Sequence, residues 1–156
     1  MEKGAKMSED GQYRYSLWRI WDKSKPYVLF IGLNPSDADD KIDDPTLCKC
    51  IAYAKKWNFG GLYMANLFAH RDSKPENMFK ENDPIGPEND YWIEKLSSNA
   101  GRVVVAWGEH GTFQGRGETV LSKLSKPYCL MQLKNGQPGH PLYKDPDLEL
   151  KLYNPK

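Results

Sequence analysis

The sequence predicts an α/β fold of three layers, α/β/α, with helices on both faces of a central, mainly parallel four-stranded sheet and one extra N-terminal edge strand. Three observations predict it. Apolar runs of strand length recur at residues 27–33, 62–65, 102–107 and 128–133. Segments with apolar residues at helical spacing separate these runs, and polar or glycine residues come directly after them. Strands that alternate with helices form parallel sheets covered on both faces.

Residues 1–12 hold few apolar side chains and are expected to be loose, ahead of a single domain over residues 13–156. Residues 13–21 alternate bulky and polar side chains at period two and meet the turn formers Asp22 and Pro26, the pattern of an edge strand. Residues 27–33 are continuously apolar, as in a strand buried on both faces, and the run breaks at Asn34 and Pro35. Between 45 and 57, Leu47, Ile51 and Ala54 recur at helical spacing, with Cys48 and Tyr53 on a neighbouring face. Asp44 and Pro45 start that helix, and Gly60 and Gly61 lie just past its end.

A short strand at 62–65 runs into Asn66. The polar stretch 71–87 then reads as a long loop with one helical turn, a length often reserved for function. Residues 88–98 form a helix with Tyr91, Ile93 and Leu96 inward, and 102–107 a buried strand ending at Gly108. Glycines 111, 115 and 117 loosen the next segment, before a short helix at 118–124 and a last strand at 128–133. His140 lies in the proline- and glycine-rich loop beyond.

Composition bounds the function. With 39% hydrophobic and 28% charged residues the chain is globular, and extensive disorder is excluded. No apolar run reaches the roughly 20 residues of a membrane helix, and no signal-peptide core follows Met1, so a cytoplasmic protein without a membrane partner is expected. Cys48, Cys50 and Cys129 lack metal-ligand spacing and read as reduced thiols, with no metal and no cofactor. A net charge of only +1 argues against a strong, sequence-blind grip on duplex DNA, so a DNA-binding role needs local charge.

Asn34, Asn66, Gly108 and His140 each follow the carboxyl end of a predicted strand, the edge at which open parallel sheets bind ligands. The Asn34 amide suits positioning a water or a ligand carbonyl, against the simpler reading of a proline-marked turn. Asp37, Asp39, Asp40, Asp43 and Asp44 suit a general base or a hard cation, or else form a solvated acidic loop. Asn66 pairs a donor with an acceptor and suits a base edge, a contact worth about 1–3 kcal/mol of discrimination when bidentate; ending a strand with a turn is the alternative. Phe68 is a core or a stacking residue. His140 suits donation to a leaving base or a structural bond, with His70 and His110 as weaker candidates. Arg71 and Arg116 flank these loops and suit phosphate or solvent.

In order, these pieces resemble the motifs of the uracil-DNA glycosylase superfamily. Residues 32–35 are similar to its first motif, above all in the mismatch-specific branch, which has Asn where other branches have Asp. Residues 62–71 look like the segment whose asparagine reads the uracil edge. Residues 103–108 are similar to the strand ending in Trp107 and Gly108, and 139–143 to the histidine–proline motif. A second set, residues 34–36 with 44–46, 66–69, 83–89 and 140–143, resembles an uncharacterised family of small bacterial and phage proteins that has no established activity.

The first resemblance implies a glycosylase-like fold, with Asn34 positioning the attacking water, Asn66 bonding the base and His140 stabilising charge on the departing base. It implies Leu142 or Tyr143 as the wedge that replaces a flipped base, and Gly32, Ser36, Phe68, Arg71, Trp107 and Gly108 around that base. Ser36 stands where uracil-specific members place a tyrosine, which implies room for a 5-substituted pyrimidine. Asn34 lacks the strongest members' carboxylate, so Asp37 or Asp39 would activate the water. The implied function is a DNA glycosylase-like hydrolase, or a base-modifying enzyme, acting on a modified or mismatched pyrimidine in DNA. The alternative is a non-catalytic protein that sequesters a free nucleotide or nucleobase, and a weaker one is a protein-contacting surface with a vestigial pocket.

Overall fold

The computed structural model describes residues 1–36, 38–72, 74–141 and 149–154. Four strands, β3 (Tyr27–Gly32), β4 (Gly61–Asn66), β5 (Arg102–Val105) and β6 (Pro127–Cys129), pair in parallel in the order β4-β3-β5-β6. Three more pair antiparallel: β2 (Arg14–Ile20) on β4, β1 (Glu2–Met7) on β2, and β7 (Lys151–Leu152) on β6. The fold is therefore α/β, but its sheet is seven-stranded and mixed, where a four-stranded, mainly parallel sheet with one edge strand was expected.

The difference lies in strands without a side-chain signature. Residues 1–12, expected to be loose, contain β1, whose charged sequence is held by backbone pairing along the outer side of β2. Gly4 permits this, because a Cβ there would lie 2.3 Å from the Trp18 indole. With β1 on its flank, β2 is an inner strand and not an edge, and most of its residues are buried. β7 is a two-residue partner of β6, and β6 itself stops at Cys129 instead of running to 133.

β3 divides the core between two layers. Val28 and Phe30 pack with Leu47, Cys50, Tyr53 and Ala54 of helix α1 (Pro45–Lys56), whereas Leu29 and Ile31 pack with Ile93 and Leu96 of α3 (Asn89–Asn99) and Val120 of α4 (Arg116–Leu121). These four β3 residues are no more than 1% exposed, so the sheet is covered on both faces at its centre. α1 begins as its sequence predicts: the Asp44 carboxylate accepts from Leu47 N at 2.8 Å, and Pro45 stands in the first turn, where its missing N–H costs nothing.

In the 71–87 loop a single turn, α2 (Pro75–Met78), buries Met78. In α3 the buried face is Asn89, Ile93 and Leu96, spaced four and three apart. Tyr91, expected inward, falls off that stripe and is 56% exposed. α4 sits two to three residues earlier than its predicted span, because a 3-10 segment, Glu109–Gly115, leads directly into it. Among the described residues no helix is long and apolar enough to cross a membrane. Cys48 is exposed, Cys50 and Cys129 are buried, and all three are free thiols.

Candidate functional site

The parallel strands β4, β3 and β5 end side by side, and the antiparallel β2 begins at that same edge. Arg14 therefore stands next to the loops that leave the parallel strands. A cavity of about 590 Å³ opens there, within the roughly 300–1,000 Å³ typical of small-molecule sites. Phe30, Met64, Ala106 and Trp107 supply apolar wall, and polar groups reach it from separate loops: Asn34 and Ser36 after β3, Asn66 at the end of β4, and His140 far along the chain.

Asn66 is 4% exposed and held on several sides. With its amide nitrogen turned toward the loop after β3, it donates to the Asn34 main-chain carbonyl at 3.2 Å. Its own carbonyl accepts from Asn89 Nδ2 at 2.9 Å, and the same nitrogen reaches Leu67 O at 3.0 Å. Arg116 Nε also donates to Leu67 O, at 2.8 Å. Helices α3 and α4 thus fix the end of β4 where the side chain enters the cavity. On the neighbouring strand a Cβ at Gly32 would lie 2.9 Å from the Asn66 amide, so glycine there makes room for it.

Asn34 Nδ2 donates to the Asp72 carbonyl at 2.7 Å, joining the loops after β3 and β4. That leaves Oδ1 as the atom of this amide suited to orienting a water or accepting from a ligand. The Trp107 indole donates to Gln137 Oε1 at 2.9 Å, which fixes the ring in the wall. Gly108 adopts φ 79°, ψ −170°, a conformation essentially confined to glycine, and turns the chain out of β5 with its N–H on Pro138 O at 2.8 Å.

The acidic loop after β3 is largely taken up by structure. Asp39 accepts from the N–H groups of Ile42 and Lys41, which hold its carboxyl below the usual carboxylate range. Asp43 pairs with Arg19 at 2.9 Å, and Asp44 caps α1. Among the described residues the cavity is lined by one carboxylate, the exposed Glu109, beside His110. Among the described residues no group of three or more His, Cys, Asp or Glu side chains is placed to hold a metal ion.

Of the residues expected to act, Gly32, Asn34, Ser36, Asn66, Trp107, Gly108 and His140 all line this one cavity. Phe68 does not: it is fully buried behind it and packs on Phe113 at 5.5 Å between ring centres, in the core layer of α3 and α4. Arg71 is exposed outside the wall, with Nη1 on the Gly11 carbonyl at 3.3 Å, because β1 and the turn after it draw it aside. Arg116, a candidate for phosphate, is buried against Asp90 at 2.7 Å. Asp37, Leu142 and Tyr143 lie outside the described residues.

Sequence reading missed Arg14, Thr46 and Leu133 in the wall and Asn89 behind Asn66. Residues 14–142 match a family described as a protein of unknown function, DUF1643. No curated protein and no solved structure matches the chain. None of these comparisons links it to the uracil-DNA glycosylase superfamily.

Proposed function

The chain belongs to the DUF1643 family, and from the cavity at its sheet edge we propose that it recognises a nucleobase, presented as a free nucleotide or flipped out of DNA. One observation carries this reading: Asn34, Asn66 and His140, distant in sequence, line a single cavity together with the aromatic and aliphatic side chains of Phe30, Leu33, Met64, Ala106 and Trp107. Flat apolar walls suit the faces of a heterocycle, and a few convergent donors and acceptors suit its edge. The exposed Ser36 at the rim leaves space for a substituent on a pyrimidine ring. The same proposal extends to the fold as a glycosylase-like α/β/α arrangement, supported by the order of the four motifs along the chain and by the parallel run β4-β3-β5-β6 beneath them.

A second reading adds hydrolysis, favoured by Asn34 and His140 lining the same space. In that reaction Asn34 Oδ1 orients a water toward the sugar C1′. A C1′–O bond forms as the C1′–N bond breaks, and the base leaves with the electron pair while His140 donates a hydrogen bond to its carbonyl oxygen. The water's proton passes to a carboxylate, for which the described wall offers Glu109. Binding comes first here because that carboxylate is exposed and Asn34 already spends its donor on Asp72.

The test incubates the protein with oligonucleotides carrying uracil, thymine mismatches or 5-substituted pyrimidines, and in parallel titrates free bases and nucleotides by calorimetry. Saturable binding of a base-bearing ligand is expected. Base release from any oligonucleotide selects the hydrolytic reading, and neither binding nor release ends both.

A further inference from the structure

Among the described residues three arginines are buried, Arg14 at 3%, Arg19 at 0% and Arg116 at 3% exposure, and they differ in what meets their charge. Arg19 Nε lies 2.9 Å from Asp43 Oδ1, and its other nitrogens donate to the carbonyls of Trp18 and Asp39. Arg116 Nη2 lies 2.7 Å from Asp90 Oδ1. Among the described residues the partners of Arg14 are main-chain carbonyls: Nη1 donates to Ala38 O at 2.6 Å and weakly to Ser36 O at 3.4 Å, and the buried Nε meets no acceptor there. No carboxylate among the described residues lies within ion-pair distance of it.

A buried cation with no ion-pair partner among the described residues is costly, so its retention asks for a reason. The carboxylate of Asp44 acts on Arg14 through space, but its oxygens already serve Leu47 N and Ala38 N. Burial, with the positive charges of Arg71 and Arg19 adding to it, pushes the Arg14 guanidinium down to about 10, against the pull of Asp44 and Asp39, so it stays charged at neutral pH. Of the three buried arginines, Arg14 is the one that lines the cavity. Thr46, in the first turn of α1, brings a hydroxyl and the positive end of a 12-residue helix to the same wall.

We propose that Arg14 is the anion-recognising residue of this cavity, and that the natural ligand carries a phosphate oxyanion that pairs with it: a nucleotide and not a bare base or nucleoside. With Nη1 on two carbonyls and Nε buried, Nη2 is the nitrogen left to donate a charge-assisted hydrogen bond to a phosphate oxygen, and a low-dielectric wall strengthens the contact. The base part of this inference rests on the nucleobase reading above; the anion part rests on Arg14 alone. The phosphate has two sources, a free nucleotide or the backbone of a DNA strand whose base enters the cavity.

The experiment titrates the full chain by calorimetry and thermal unfolding with inorganic phosphate, with each of the four deoxynucleosides and its 5′-monophosphate, and with short single-stranded oligonucleotides. In the wild type at least one monophosphate is expected to bind about 10- to 100-fold tighter than its nucleoside, the range of a charge-assisted hydrogen bond. Arg14→Met should erase that preference, and Arg14→Lys, which keeps the charge without the guanidinium, should retain part of it. An oligonucleotide tighter than every monophosphate identifies the backbone as the source, and the reverse identifies the free nucleotide.

Nucleosides and nucleotides that bind alike in the wild type, or a preference that survives in Arg14→Met, overturn the proposal and leave the nucleobase reading standing. Arg14-dependent stabilisation by inorganic phosphate, with no binding of any nucleoside or nucleotide, ends the nucleobase reading and leaves Arg14 as an anion site alone. No stabilisation by phosphate and no binding of any nucleotide overturns both. The wild-type titrations and Arg14→Lys decide the matter even where Arg14→Met fails to fold.

Discussion

The two ends of the sheet carry hollows of similar size and different character. The one at the carboxyl ends encloses about 590 Å³ and the one at the amino ends about 690 Å³. At the amino end the cations are served and partly solvated: the Arg102 guanidinium lies 4.1 Å over the Tyr128 ring, Lys126 lies 5.8 Å from the same ring, and Lys123 pairs with Glu94 at 3.5 Å. At the carboxyl end a buried asparagine and a buried arginine face a wall of aromatic and aliphatic side chains. Volume does not separate the two. What does is desolvated polar chemistry, which folding alone disfavours and a ligand's polar groups can satisfy.

The largest effect expected from this contrast is on stability. Trp107 is 1% exposed, belongs to the core beneath the cavity and fixes Gln137 through its indole nitrogen. Trp107→Ala should cost about 3–5 kcal/mol in urea unfolding. Tyr128→Ala, at a half-buried ring in the amino-end hollow, should cost well under half of that. Equal losses would show that both hollows are built into the core to the same depth, and the contrast between the two ends would disappear.

Next in size is the effect on binding. Asn66→Ala removes the amide that reaches into the cavity and should weaken the tightest nucleobase ligand from the calorimetric panel by about 10- to 100-fold, as expected for a buried hydrogen-bonding group. Arg102→Ala, across the molecule, should leave that affinity within about twofold, since surface changes far from a site are close to neutral. An unchanged affinity in Asn66→Ala would take this residue out of the site.

The parts of the molecule legible in the sequence are those written by local physics. The continuous run of β3 announces burial on both faces, and Asp44 with Pro45 announces the start of α1, because capping and apolar periodicity act within a few residues. Asn34, Asn66, Gly108 and His140 were legible because polar residues just beyond strands gather at one sheet edge. β1 was not, since its residues make pairings of the main chain and carry no pattern of their own. Arg14 was missed for a related reason: its place in the wall depends on β2 running antiparallel to β4, a pairing across some 45 residues that no local pattern encodes. For Phe68 the sequence leaves core and stacking open, and for Arg116 phosphate and solvent; Phe113 and Asp90, distant in the chain, claim them.

The smallest expected effect tests the amino end directly. Lys126 reaches the Tyr128 ring from a solvent-exposed position, and a cation–π contact at such a site is worth about 0.5–1 kcal/mol before the entropy of holding a long side chain is subtracted. Lys126→Ala should therefore shift unfolding by no more than about 0.5 kcal/mol and leave nucleotide binding unaltered. Loss of binding in this variant, with stability unchanged, would mean that the basic rim of the amino-end hollow takes the anion, and that the phosphate assigned to Arg14 belongs at the opposite end of the sheet.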